Sequence, residues 1–265
     1  MKILVPVKRV AALEEDFEIA ADGRDVDPDF LNWDLNEWDD YSLEAAVQVK
    51  EAAGDGAVEV IAVTVGPDDA EEVLRKCLAK GADRALRVWD DALEGGDPIA
   101  IARVLAAVAR RENAALVLAG TQSADHGHAS TGIALAALLD RPHAAVVAGL
   151  DCKPGTTMAV AQRELEGGLL QTIELPLPAV LTIQLGINTP RYASLRGIKQ
   201  AASRPIETMS PQDLGLADAQ LGAAGSLSRV RRMYVPEKGR AQMIEGSAAD
   251  QAARLIQIIK EATGA

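Results

Sequence analysis

A chain of 265 residues, 48% hydrophobic and 25% charged, is long enough to bury one substantial core, or one core and an arm. Its net charge of -12 and pI near 4.8 argue against a nucleic-acid binder, and 3% aromatic content leaves few platforms on which bases stack. No apolar run approaches the roughly 18 residues that span a bilayer, and residues 1–7 are too short for the apolar region of a signal peptide. The expectation is a cytoplasmic protein without direct membrane insertion. Two cysteines, Cys77 and Cys152, offer neither metal spacing nor a disulfide framework.

Along the first two thirds, short apolar runs alternate with helical patterns, the mark of a parallel sheet with helices on its faces. Residues 3–7, 58–65 and 116–119 read as strands buried on both sides. Between them, residues 43–53, 71–79 and 99–110 repeat apolar side chains at three and four, as amphipathic helices do. Gly81 reads as a helix stop. Asp39 or Asp40 is placed to cap the helix before residue 43, and Trp38 either packs in the core or covers a flat ligand. The acidic sets Glu14, Glu15, Asp16 and Asp25, Asp27, Asp29 lack a calcium-loop pattern and read as solvated connection.

The strand at 116–119 leads into Gly120, Thr121, Gln122, Ser123, Ala124, Asp125, His126, Gly127, His128, Ala129, Ser130 and Thr131, after which residues 133–139 read as helix. In an open parallel sheet, ligands bind where strand ends turn into helices. Free backbone N–H groups at 129–131, two hydroxyls and the positive end of the helix suit a phosphate without any lysine. The plainer reading is that Ser130 and Thr131 simply cap the helix. His126 and His128 have no third ligand cluster, so no metal is expected and a solvated or phosphate-facing role is preferred.

Residues 158–165 and 169–175 flank Glu166-Gly167-Gly168 as a hairpin, and residues 179–183 form a further strand, so the sheet is expected to be mixed. Residues 188–198 then show no period of two or 3.6, yet carry Pro190, Tyr192, Leu195 and Ile198. Such groups either pack on their own domain or are buried in a partner. After Ile206 the order weakens, with a short capped turn at 210–216 and a small-residue stretch at 222–228. A last helix over 250–261 places Ala252, Leu255, Ile256 and Ile259 on one face, for its own core or for a partner.

Several separated motifs carry a resemblance. Arg163-Glu164-Leu165-Glu166-Gly167-Gly168, Leu177-Pro178-Ala179-Val180-Leu181-Thr182 and Asn188-Thr189-Pro190-Arg191-Tyr192-Ala193-Ser194-Leu195 resemble the signature region of the electron-transferring flavoprotein beta subunit. Val5-Pro6-Val7-Lys8-Arg9-Val10 and Gly81-Ala82-Asp83-Arg84-Ala85 are similar to the same family, in its order and over essentially the whole chain. The tail at 228–240 resembles the methylotroph branch, whose donors include trimethylamine-type dehydrogenases.

The resemblance implies an α/β, three-layer Rossmann-like domain over residues 1–206, with a mostly parallel sheet plus a β-hairpin, and a C-terminal arm and helix over 207–265 packing on an alpha subunit. It implies an electron carrier rather than an enzyme: a heterodimer whose alpha subunit holds most of the FAD, while this subunit buries an AMP. By similarity the AMP lies on Pro6, Asn36, Glu37, Trp38, Asp39, Val65 and the loop from Gly120 to Thr131. Leu13 and Trp38 occupy positions near the flavin ring edge. Residues 191–200 correspond to a recognition loop that docks flavin dehydrogenases through Arg191, Tyr192, Leu195 and Ile198, with Leu195 as anchor; electrons pass on to a quinone oxidoreductase. Family members that bifurcate electrons hold a second FAD in place of AMP and carry Asp-Gly-Asp-Thr-Ala-Gln-Val-Gly in the loop, unlike residues 125–132 here. A stand-alone nucleotide-binding regulator of the stress-protein type is the rival from another class. An ATP-cleaving enzyme is the weaker one, for want of a Ser-Gly-Gly-x-Asp-Ser loop.

Overall fold

Strands with no polar face form the centre of the molecule, because Ile3, Leu4 and Val5, then Val60 to Val63, then Leu116 to Leu118 are shielded on both sides. A computed structural model describes residues 1–13, 17–54, 56–236, 239, 241 and 243–264; the Leu13 side chain and the expectation for Glu14, Glu15 and Asp16 lie outside the described residues, as does part of the tail motif. The strands are β1 (Lys2–Pro6), β2 (Arg9–Leu13), β3 (Leu31–Leu35), β4 (Glu59–Val65), β5 (Arg84–Val88), β6 (Leu116–Gly120), β7 (His143–Asp151), β8 (Met158–Leu165), β9 (Leu169–Pro176), β10 (Ala179–Ile183) and β11 (Glu207–Met209). The helices are α1 (Glu37–Ala53), α2 (Glu71–Lys80), α3 (Pro98–Arg111), α4 (Thr131–Leu139), α5 (Leu195–Ser203), α6 (Gly222–Gly225) and α7 (Ala248–Thr263).

Nine strands form one sheet in the order β11-β5-β4-β1-β6-β10-β7-β8-β9, and β2 pairs with β3 in a separate two-stranded sheet. Pairings are parallel from β11 to β7, and antiparallel from β7 through β8 to β9. One face of the sheet packs on α1, α2 and α5, through Leu43, Val47, Leu74, Cys77 and Ala201. The other packs on α3 and α4, through Val104, Val108, Leu135 and Ala136. The result is the expected three-layer α/β fold with a mixed sheet and a hairpin. From β1 the chain moves outward to β4 and β5, then returns to the other side of β1 as β6. The strand order therefore reverses between β1 and β6, and an open α/β sheet has its crevice there, beyond the carboxyl ends of the strands.

Three sequence expectations change. Residues 195–203 are helical rather than loop: Ser194 accepts from Gly197 N–H as an N-cap, and the one buried side chain of the helix, Ala201, is too small to leave an apolar period. Neither Asp39 nor Asp40 caps α1, because the N-cap is Asn36 and both aspartates already lie in the first turn. The arm also leaves the body later than Ile206. β11 adds a strand beside β5, Leu221 is buried, and the Asp97 carboxylate, which caps α3, accepts from Leu227 N–H and Ser228 N–H. Beyond that point, α7 buries no residue and leaves Leu255, Ile256 and Ile259 about half exposed. Its own core is not what its apolar face covers.

Candidate functional site

At the crevice, Pro6 ends β1, Val65 ends β4 and Gly120 ends β6, so three sequence-distant candidates converge because three parallel strands stop together. The loop after β6 is fastened to the first turn of α1. Buried Asn36 donates from Nδ2 to the Gln122 carbonyl at 2.9 Å and accepts at Oδ1 from Ala124 N–H at 3.1 Å. The Asp39 carboxylate accepts from Lys8 N–H at 2.8 Å and from Gly120 N–H at 3.2 Å. Only glycine fits at 120: a Cβ there would stand 2.3 Å from Asp39 Oδ1 and 2.8 Å from Trp38 Cβ. Burial pushes the Asp39 carboxyl up to about 7, against the hydrogen bonds from Lys8, Asn36 and Gly120 that favour its charge.

Trp38 is half-buried and donates from Nε1 to Gln184 Oε1 at 3.1 Å, while Glu37 is exposed one residue before it. Thr121 bonds back to the Ile183 carbonyl through Oγ1. Lys8, which the sequence reading left out of the site, reaches across from the end of β1 to Asp125 at 2.7 Å and His126 Nδ1 at 3.1 Å. Burial works against the Asp125 charge, yet hydrogen bonds from His126, Lys8 and Ser123 outweigh it and hold the carboxyl well below its ordinary range. The position of Lys8 directly after a buried strand was the available signal, since strand ends line such a crevice.

From Ala124 to Ala129 the loop is mostly exposed, with the His126 and His128 rings stacked 5.5 Å apart. Gly127 and Ala129 have positive φ of 62° and 51°, which turns the chain sharply into α4. Ser130 occupies the N-cap, but its side chain makes no cap hydrogen bond. The first-turn N–H groups of α4 have no intrahelical acceptor and point out of the helix end, with the positive end of the dipole behind them. Gly132 lets this turn sit against β10, because a Cβ there would stand 2.5 Å from Thr182 Cγ2. The donor set suits an anion held by backbone, in keeping with the apolar Ala129 side chain. Among the described residues, no group of three or more His, Cys, Asp or Glu side chains comes together as a metal site, and Cys77 is a buried thiol whose pKa is raised by burial.

The second candidate region lies behind α1. Of the four residues expected at a docking surface, Tyr192 is 98%, Leu195 81% and Ile198 50% exposed. Arg191 is instead turned onto α1, where its guanidinium meets Glu44 and Glu51. Gly197 seats the start of α5 on α2, as a Cβ there would stand 2.5 Å from the Ala79 carbonyl oxygen.

Strand order, crevice and hairpin define an open, Rossmann-like α/β protein. A family model described as the electron transfer flavoprotein domain matches residues 28–214, and the chain belongs to the electron transfer flavoprotein family. It is 64% identical to the electron transfer flavoprotein subunit beta of Methylophilus methylotrophus over 265 residues, covering the whole of both chains. It is 33% identical to the subunit beta of Bacillus subtilis over 98% of each chain. To the subunit beta of Homo sapiens it is 37% identical, over 82% of this chain and 84% of that one. Among the described residues no helix is long and apolar enough to cross a membrane.

Proposed function

We propose that the chain is the beta subunit of a heterodimeric electron-transferring flavoprotein, a cytoplasmic carrier that takes single electrons from primary dehydrogenases, trimethylamine-type among them, to a quinone oxidoreductase. FAD, held mainly by the alpha subunit, would supply the one-electron chemistry when bound, and by resemblance Trp38 and Leu13 are the residues of this chain that would lie nearest to it. This chain's residues do no chemistry of their own. They bind an AMP, assemble the dimer and dock the donor.

The AMP reading rests on the start of α4, where the Ser130 N-cap makes no side-chain cap hydrogen bond. Backbone N–H groups at the helix start take the phosphate, half-buried Val65 offers apolar surface next to the buried Pro6, and the Asn36 and Asp39 bonds keep the loop in place before the nucleotide arrives. A ligand that binds only the folded state stabilises it by mass action, so the nucleotide staples strand ends to helix start. The arm reading rests on α7, whose apolar face has no cover among the described residues and suits burial on the alpha subunit.

The observation that carries the docking reading is Leu195, a leucine 81% exposed at the start of a helix that is itself anchored on α2. Fully burying such a side chain is worth roughly 1.5–3 kcal/mol, and about 1.4 kcal/mol is tenfold in affinity. In the co-produced heterodimer, Leu195→Ala is expected to weaken docking of a reduced trimethylamine dehydrogenase by about tenfold, with flavin content unchanged. Electron-transfer kinetics identical to the unmodified carrier would refute the docking role.

A further inference from the structure

We infer that Arg191 is a positioning residue: it clamps the exposed Tyr192–Leu195 segment to α1 and acts on the donor only through the shape it gives that segment. This rests on the docking reading above. The Arg191 guanidinium donates from Nε to Glu44 Oε2 at 2.8 Å and from Nη2 to Glu44 Oε1 at 3.1 Å, a two-pronged pair. It donates to Glu51 as well, from Nη1 at 2.6 Å and Nη2 at 2.9 Å, and the Arg191 backbone N–H adds a bond to Glu44 Oε2 at 3.3 Å. Three residues earlier, Asn188 Nδ2 donates to the Tyr41 carbonyl at 3.0 Å. All three acceptors lie on α1, and Glu44 is buried. Burial works against the Glu44 charge, but hydrogen bonds from Arg191 and Gln48 outweigh it and keep the carboxyl below its ordinary range.

Two features make this a clamp rather than a contact for the donor. One guanidinium satisfied by two carboxylates leaves a net negative clasp, which repels an incoming donor carboxylate. The planar fork of arginine matches the paired carboxylates in a way a lysine ammonium does not. Downstream, Gly197 fixes the other end of the segment on α2. Tyr192 and Leu195 are therefore presented between two fixed points, and ordering a surface before binding removes an entropy cost from association.

The test uses the full heterodimer with reduced trimethylamine dehydrogenase, reading the carrier concentration at half-maximal rate separately from the limiting rate. Glu44→Gln combined with Glu51→Gln is expected to raise that concentration by about fivefold or more, with limiting rate and flavin content unchanged. Arg191→Gln should do the same, and all three substitutions together should be no worse than either, because they break one device. Amide hydrogen exchange over residues 190–196 should accelerate in each variant. A normal half-saturating concentration in the glutamate pair beside a raised one in Arg191→Gln would overturn the clamp and make Arg191 a direct contact. Should Leu195→Ala also leave that concentration unchanged, the docking reading fails and the clamp's function with it. If the glutamate pair does not assemble, Glu51→Gln alone, at an exposed position, reads the same quantity with about a twofold rise expected; no rise and no faster exchange would overturn the proposal.

Discussion

The crevice at the ends of β1 and β6 and the segment leading into α5 solve opposite problems. In the crevice, side chains are spent on one another: Asn36 on the loop backbone, Asp39 on Lys8 and Gly120 N–H, Lys8 on Asp125. What it leaves outward is backbone, the start of α4. The α5 segment spends its polar groups inward, Arg191 on α1 and Ser194 on its own cap, and leaves side chains outward, Tyr192 and Leu195. A polar backbone edge suits a small anion held for the life of the protein, and an apolar side-chain edge suits a partner that comes and goes. Ion pairs anchor both, so disturbing either anchor tells fastening apart from contact.

The sharpest way to separate the regions is Leu195→Ala, already assigned about a tenfold loss in donor docking. Its melting temperature should stay within about a degree, since substitutions at exposed positions away from structural features cost little. Gly120→Ala should behave in the opposite way. The added Cβ meets Asp39 Oδ1 at 2.3 Å, and overpacking of this kind costs about 1–3 kcal/mol. A lower melting temperature and reduced nucleotide content are expected, with donor affinity retained by the carrier that still assembles. If Gly120→Ala melts normally and keeps its nucleotide, the packing of Gly120 on Asp39 and Trp38 does not fasten the crevice.

Asn36→Ala sharpens the comparison within the crevice. It leaves the Gln122 carbonyl and Ala124 N–H without their partner, at a cost of about 1–3 kcal/mol. Nucleotide release on dilution, followed by chromatography, should be faster than in the parent. Unchanged release would mean that the loop is held from elsewhere.

The remaining prediction concerns pH dependence. Asp39 titrates at about 7 in the folded chain against a reference of 3.8, so the folded state holds an extra proton between those values. That contribution is full below about pH 4 and is lost as pH rises through 7. Glu112 has the opposite sign: the Arg84 hydrogen bonds lower it to about 2, so its contribution is present above its unfolded value and is lost as pH falls through 2. Over pH 4–7, parental stability should therefore fall relative to Asp39→Asn as pH rises, so that the gap between the two melting-temperature profiles changes with pH. A parallel pair of curves would contradict the raised pKa.

Much of the fold was legible because buried strands write unbroken apolar runs, and β1, β4, β6 and β10 came within a residue or so of their observed bounds. The hairpin followed from Gly167 and Gly168, both at positive φ. β7 has no counterpart among the expected strands although residues 144–148 form an unbroken apolar run; that run follows helix α4 closely, and the strand bulges near Val146, whose φ is 59°, pairing in parallel on one side and antiparallel on the other. Helix α5 escaped because its apolar residues face outward, leaving Ala201 alone to mark the core side. In the crevice, the loop after β6 was visible from strand-to-helix order. The pairing of Asn36 with Gln122 and Ala124 joins residues more than 80 apart and leaves no local trace. Lys8 shows why charge is hard to place from sequence: one lysine after a strand is ordinary until the fold brings Asp125 beside it.

The account is tested most directly by denaturing the protein co-produced with its alpha-subunit partner and measuring the nucleotide and flavin released. One AMP and one FAD per heterodimer is the expected result. Two FAD without AMP, or a colourless chain that purifies alone, would contradict it.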